Sequence, residues 1–324
     1  MNSLLSSAIL DISRNDYHYL MRLPHVVGVG MGYKCINECM TNELSIHVLV
    51  EKKVSSDSLN CCSMIPRDYK NIKTDVIEVG SKNRESTENS ENVFLGTAPT
   101  GLPQRKRPLE GGYGISVINS TNSTGTIGCV VTRGSKYYVL SNNHVLAGYN
   151  DFPIGAKFIQ PGGDDKGKYP EDFVATLSDF IPLYFKSGSA VPENYVDAAI
   201  AEITNPSLKS NKIALVGAIK GVAAPVLNEN IKKVGTTSGL TKGKIVTVGT
   251  TANVKYDNGK TAFFKDQVLA GLYNKGGDSG SIILNEKDEA IGLLMSGGGP
   301  NYKTCIFNNI QNVLKALKIN IYLK

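Results

Sequence analysis

Apolar residues recur along this chain in short runs separated by turn-forming residues, and helical spacing is confined to the two ends. From Asn2 to about Leu23 the apolar positions recur at helical intervals, and Pro24 indicates where a helix ends. Two apolar runs typical of strands follow, Val26–Gly30 and Leu44–Val50. The pattern therefore predicts a small α/β domain over residues 1–82.

The next segment, residues 83–108, is polar and rich in turn formers, which is typical of a linker. From residue 109 to 324 the apolar runs are short and are separated by turn signals, the pattern of a sandwich or barrel. A helical spacing returns only at Ile306–Leu317 and predicts a terminal helix packed on a barrel. The predicted hairpins pair Gly125–Val131 with Tyr137–Leu140, Val246–Tyr256 with Thr261–Phe264, and Ile282–Leu284 with Ala290–Leu294.

Composition excludes several classes of partner. The chain has 324 residues, 41% of them hydrophobic, with a net charge of +6. Its densest basic run, Arg105-Lys106-Arg107, has no interleaved aromatic residues, so we expect no nucleic acid partner. No window approaches the roughly 20 apolar residues of a membrane span. The N-terminus lacks the basic start and long apolar region of a secretory signal, so the expected location is cytoplasmic.

Two motifs raise the question of a metal or cofactor. Cys35 and Cys39, followed by the adjacent pair Cys61-Cys62, are compatible with a four-thiolate zinc site, a redox disulfide or ordinary free thiols. Adjacent cysteines rarely both reach one tetrahedral ion, so free thiols are the interpretation we favour. Gly28–Gly32 has the spacing G-x-G-x-G and no helix after it, which departs from the dinucleotide fingerprint. We therefore expect neither metal nor cofactor.

Three separated segments together suggest nucleophilic catalysis. His144 follows an apolar run, Asp197 precedes another, and Ser279 lies in a Gly-Asp-Ser-Gly turn. A serine hydroxyl needs an imidazole to take its proton, and the imidazole needs a carboxylate to orient it. Each segment alone is a weak signal, but the three in this order predict a base, an orienting group and a nucleophile. The backbone N–H groups of Gly277 and Ser279 are then the expected oxyanion donors.

Longer stretches carry a resemblance to a known family. They are Val29–Lys34, Thr74–Gly80, Leu140–Leu146, Gln160–Gly162, Val196–Ala201, Val234–Leu240 and Gly276–Ser281. The segment from about Gly111 onward resembles the trypsin-like serine peptidases of the chymotrypsin fold. The whole chain resembles a bacterial trypsin-like group related to the plant narrow-leaf peptidases. The resemblance implies a mainly β fold: a double β-barrel with the triad in its cleft and a C-terminal helix, preceded by a small α/β domain.

The resemblance also indicates where a substrate would bind. Its primary specificity pocket corresponds to Tyr273 and Asn274 before the serine, and to Ser296, Gly297 and Gly298 on the strand after it. No acidic residue lies near Tyr273, so we expect no preference for arginine or lysine. The glycines leave room for a peptide to add as a strand.

Two departures from the family pattern bear on activation. Val145 follows His144 where secreted relatives often have a cysteine, so a disulfide with Cys129 is absent. The chain also lacks the mature N-terminal Ile-Val-Gly-Gly that would pair with Asp278. Its nearest analogue is Leu109–Gly112. We therefore expect a site that forms without proteolytic activation or that another event orders.

The function predicted on these grounds is a serine endopeptidase that hydrolyses a protein or peptide substrate through an acyl-enzyme. Narrow specificity or a gate is expected, because unrestrained proteolysis would harm the cytoplasm. Two alternatives stay open: a peptide-binding module with a latent triad, and an esterase. The N-terminal domain is a candidate for substrate recruitment, regulation or homo-oligomer formation.

Overall fold

Strands dominate this computed structural model, which describes residues 2–37, 39–80, 101–120, 123–298 and 303–324. Its helices are α1 (Asn2–Asn15), α2 (His18–Met21), α3 (Asn143–Leu146) and α4 (Ile310–Leu317). Its strands are β1 (Val26–Ile36), β2 (Cys39–Val50), β3 (Asp68–Tyr69), β4 (Ile72–Glu78), β5 (Gly114–Val117), β6 (Gly125–Thr126), β7 (Cys129–Arg133), β8 (Lys136–Ser141), β9 (Lys157–Ile159), β10 (Phe173–Phe180), β11 (Glu193–Asn194), β12 (Ala199–Ile203), β13 (Lys212–Ile213), β14 (Gly217–Ala218), β15 (Gly221–Val222), β16 (Asn230–Gly235), β17 (Gly239–Lys255), β18 (Thr261–Leu272), β19 (Ile282–Asn285), β20 (Glu289–Gly298), β21 (Thr304–Asn309) and β22 (Asn320–Ile321).

The first β unit is an eight-stranded sheet in the order β22-β7-β8-β12-β10-β9-β5-β6. This sheet curves into a half-barrel. Strand β6, at one edge of the sheet, is followed along the chain by β7, which lies next to the other edge. Its inward positions form a hydrophobic core that includes Ile115, Phe158 and Leu177. Such a core is what alternating apolar residues on short strands produce when one face of a sheet is buried.

The second β unit closes completely. Strands β16 to β21 form the ring β18-β21-β20-β19-β16-β17, and β17 pairs with β18 to close it. The predicted hairpin at Asp257-Asn258-Gly259 is confirmed, with Lys255 opposite Thr261 and Gly259 at φ +78°. The expected double β-barrel is therefore confirmed, as a closed six-strand barrel beside a half-barrel.

The N-terminal unit continues the second barrel's sheet. β1 pairs antiparallel with β17, with Gly28 opposite Ala252, and β2 and β4 follow beyond it. The helix predicted from Asn2 to Leu23 is two helices, because α1 ends at Asn15. α2 begins only at His18, and Asn15 and Asp16 at the break are poor helix formers because their short polar side chains compete for backbone hydrogen bonds.

The predicted terminal helix is wrong at its start. Residues Thr304–Asn309 form β21, an inner strand between β18 and β20, and α4 begins only at Ile310. Asn309 makes the boundary, since its side chain accepts a hydrogen bond from Gln311 N (3.0 Å) as an N-cap. The apolar spacing arose because Ile306 and Phe307 belong to the strand that leads into the helix.

Four of the described cysteines are free thiols: Cys35 and Cys39 are exposed, and Cys129 and Cys305 are buried. Across the described ranges no three histidine, cysteine, aspartate or glutamate side chains group to hold a metal ion. No helix in the described part of the chain is long and apolar enough to cross a membrane. Most of the predicted linker, residues 83–100, lies outside the described residues.

Candidate active site

His144 lies in the first turn of α3, directly after the last strand residues of β8. Its Nδ1 donates to Asp197 Oδ2 at 2.6 Å, and its backbone N–H donates to Asp197 Oδ1 at 3.2 Å. Asp197 is fully buried, whereas the histidine side chain is 12% exposed. The carboxylate therefore fixes the imidazole tautomer and leaves Nε2 to face the site.

Both barrels hold the main chain of Asp197. Its N–H donates to the Asn308 side chain from β21 at 2.8 Å, and its carbonyl accepts from the Asn142 side chain at 2.8 Å. Asn142 precedes α3 on the first barrel, so the aspartate lies where the two barrels meet. Buried hydrogen bonds of this kind fix one geometry of the Asp197 main chain, and the Asn142 Oδ1 has no partner among the described residues.

A further donor reaches Asp197 that the sequence analysis missed. Tyr256, just beyond β17, donates its hydroxyl to Asp197 Oδ2 at 2.8 Å. Burial, the charge of Asp197 and this hydrogen bond raise the pKa of Tyr256 well above its ordinary value of 10. Its ring lies 5.5 Å from the His144 ring, centroid to centroid.

Ser279 lies in a turn packed against the end of β8, the strand that precedes His144. The Ser279 carbonyl accepts from Thr126 N (2.9 Å), and its Oγ is 3.5 Å from the Met295 carbonyl oxygen. Gly280 has φ +93°, and a side chain there would collide with Ser141, three residues before the histidine. The structure thus joins His144 to Asp197 by a hydrogen bond. It also packs the turn that contains Ser279 against the end of β8, three residues before His144.

The segment before Ser279 has a fixed peptide orientation. The Gly276 carbonyl accepts from Thr237 Oγ1 (2.7 Å), and the Gly277 carbonyl accepts from Thr126 Oγ1 (2.7 Å). In a trans peptide the N–H points opposite to the preceding carbonyl, so the Gly277 N–H points away from Thr237. Gly277 has φ +93°, and a Cβ there would collide with Thr237 Oγ1, so glycine is required.

A buried ion pair supports this segment. Lys233 Nζ lies 2.8 Å from Asp278 Oδ2, and both side chains are fully buried. The carboxylate also accepts from Ser238 Oγ (2.5 Å) and from the backbone N–H of Thr237, Ser238 and Lys275 at 2.9–3.1 Å. Burial lowers the pKa of Lys233 from its ordinary 10.5, with the charge of Asp278 opposing that effect. Asp278 therefore has an internal cation as its partner.

The sequence had offered no partner for Asp278. One signal could have identified Lys233: it lies two residues after the buried Ile231 on β16 and so shares that strand's inner face.

The expected substrate residues divide into two groups. Asn274 is buried, and its amide donates to the Leu272 and Thr304 carbonyls at 2.9 Å, which ties β18 to β21. Tyr273 is partly buried, and its carbonyl accepts from Thr241. The other group, Ser296, Gly297 and Gly298, forms the end of β20 and pairs on one side with β21.

The architecture described above defines a chymotrypsin-type double-barrel fold. The glutamyl endopeptidase of Staphylococcus aureus strain MW2 is 27% identical over 215 residues, which cover 64% of this chain and 58% of the relative. That of strain MSSA476 has the same identity, with 57% of its length covered. The chain thus matches somewhat more than half the length of these curated relatives. No family model matches the chain.

Solved structures of proteases align with about two thirds of the chain. Protease A of Thermobifida fusca gives a TM-score of 0.48 at 18% identity, over 66% of this chain and 98% of that one. A glutamic acid-specific serine protease that uses a histidine triad in substrate binding gives 0.48 at 21% identity, over 66% and 100%.

Proposed function

We propose that this protein is a serine endopeptidase whose triad is His144, Asp197 and Ser279. The observation that carries the proposal is the 2.6 Å hydrogen bond between His144 Nδ1 and the buried Asp197, with the Ser279 turn packed against the same strand. Ser279 Oγ attacks the scissile carbonyl while His144 accepts its proton. His144 then protonates the leaving amine. Water next attacks the acyl-enzyme, while His144 accepts the proton of the water and returns it to Ser279 Oγ.

An oxyanion site formed at rest is part of the proposal and counts against a latent peptide-binding module. The Gly276 carbonyl is already bonded to Thr237, so the Gly277 N–H is free to serve the oxyanion with the Ser279 N–H. The Lys233–Asp278 pair supplies the cation that a cleaved N-terminus would otherwise bring. Activity would then need no proteolytic activation, and control would come from narrow specificity.

A peptide fits the site better than a small ester. Within the described residues, the pairing of β20 with β19 runs from Ala290 to Leu293, while the pairing with β21 continues to Gly298. Leu294 is bonded by its backbone to Gly280 and Ser281, so the β20 edge beyond Leu294 faces Ser279, whose Oγ lies near the Met295 carbonyl. A substrate strand can add at Ser296–Gly298 by main-chain hydrogen bonds, which an ester substrate would not use.

The relatives and the thiols refine the proposal. Because the curated relatives are glutamyl endopeptidases, peptides with glutamate before the scissile bond are the first substrates to test.

The free cysteines fit the cytoplasmic location that we propose. Membership of the group related to the narrow-leaf peptidases, and self-association through the N-terminal unit, remain part of the proposal. Sedimentation analysis tests the latter.

The deciding experiment is labelling of the purified protein with a fluorophosphonate probe, followed by intact mass measurement. We expect stoichiometric labelling of the wild type and none of Ser279→Ala. Ser207→Ala, which changes an exposed serine outside this turn, should keep the label. An unlabelled wild type would refute an oxyanion site formed at rest. Labelling that persists in Ser279→Ala would refute the nucleophile.

A further inference from the structure

The aspartate of the proposed triad has two side-chain donors on a single oxygen. His144 Nδ1 and the Tyr256 hydroxyl both donate to Asp197 Oδ2, at 2.6 and 2.8 Å. The other oxygen accepts only a longer backbone bond, from His144 N at 3.2 Å, among the bonds of the described residues. The tyrosine thus acts on the same atom that orients the imidazole.

The second barrel holds Tyr256 rigidly in this position. Its backbone N–H donates to the Lys260 carbonyl (2.9 Å), and its carbonyl accepts from Gly259 N (2.9 Å), so the hairpin turn fixes its backbone. The side chain is only 6% exposed. Edge contacts with Tyr149 and Phe185, at 5.5 and 5.9 Å between ring centroids, fix the ring plane.

We infer that Tyr256 is a positioning residue of the triad: from the second barrel it holds Asp197 Oδ2 aimed at His144. This inference rests on the proposed function. A fully buried carboxylate needs donors, and each bond to a charged group in such a site is stronger than a neutral one. Because the hydroxyl stays protonated far above neutral pH, it can act only as a donor to the carboxylate.

The first test is Tyr256→Phe, which removes the hydroxyl and keeps the ring in its packed position. Loss of a bond to a buried charge should lower kcat by about 10- to 100-fold and leave KM within about twofold. Tyr138→Phe, in a similarly buried tyrosine of the first sheet, is the matched control and should keep wild-type kcat. Unchanged kcat in Tyr256→Phe, or a change in KM alone, would overturn the inference.

A second readout does not depend on catalysis. The proton on His144 Nδ1 should give a strongly deshielded NMR signal in the wild type. Tyr256→Phe should move this signal further downfield, because Asp197 Oδ2 then has only the imidazole as a side-chain donor. Difluorotyrosine at position 256, a stronger donor, should move it upfield. The same signal in all three proteins would overturn the inference.

The two proposals fail separately. An unlabelled wild type with the expected NMR shifts would refute the oxyanion site formed at rest and preserve the role of Tyr256 in orienting Asp197 and His144. An active, labelled wild type whose His144 Nδ1 proton signal is the same in all three proteins would preserve the peptidase and overturn the role of Tyr256. Difluorotyrosine keeps the ring and the hydroxyl, so the second readout holds even if Tyr256→Phe folds poorly.

Discussion

Replacement of Lys233 by methionine tests the support of the oxyanion segment most directly. The change keeps an unbranched side chain one atom shorter and removes the charge that lies 2.8 Å from Asp278. Both side chains are fully buried, so the aspartate loses its counter-charge where water cannot replace it. Breaking such a pair by removing one partner typically costs about 3–5 kcal/mol.

This free-energy cost destabilises the conformation in which the Gly277 N–H points into the site. The segment can instead adopt a conformation in which Asp278 reaches solvent. A penalty of about 3 kcal/mol on the formed site then lowers its population by about a hundredfold. We therefore expect the rate of fluorophosphonate labelling and kcat/KM to fall together by about 100-fold or more. The remaining cost should appear as a lower free energy of unfolding in urea.

The matched control is Lys232→Met, one residue earlier on the same strand. Lys232 pairs with Asp288 on the partly exposed face, so this variant should label at the wild-type rate. The double variant Lys233→Met, Asp278→Asn removes both charges and should recover part of the lost stability. Wild-type labelling and stability in Lys233→Met would refute the reasoning that this ion pair supports the site.

Three further predictions rest on the same contacts. Because only protonated Lys233 can pair with Asp278 and burial lowers its pKa from 10.5, activity should be lost reversibly on the alkaline side below that value, and Lys233→Arg should move the loss to higher pH. Gly277→Ala should lower kcat by about 100- to 1000-fold at unchanged KM, since it forces a side chain against Thr237 at φ +93°; a rate within threefold of wild type would contradict this. Burial raises the pKa of Cys129 and Cys305 to about 12, so a thiol reagent should modify neither until urea unfolds the protein, and rapid modification in the native state would contradict their burial.

The sequence predicted the architecture well where local chemistry decides it. Strand alternation and the Asp257-Asn258-Gly259 turn are properties of a few neighbouring residues, and the hairpin forms where they predict it. The predicted start of the terminal helix at Ile306 was wrong because residues distant in sequence decide it. Whether Ile306 extends a helix or lies in a strand depends on β18 and β20, which lie beside it only in the folded barrel.

The same distinction applies to the site. The three segments with His144, Asp197 and Ser279 are recognisable because their short motifs and chain order are unusual together. Lys233 is one of two adjacent lysines, and only its shared face with Ile231 distinguishes it from its exposed neighbour. Tyr256 lies at a turn, where a tyrosine usually faces solvent, and its partner is 59 residues away. No spacing rule predicts that contact.

The pairing of β1 with β17 has a consequence for how the protein folds during synthesis. Gly28 finds its sheet partner, Ala252, only after more than two hundred further residues have left the ribosome. The apolar face of the N-terminal unit therefore cannot be completed before the second barrel exists. The N-terminal unit should then become protease-resistant only late in synthesis, once β17 of the second barrel has formed.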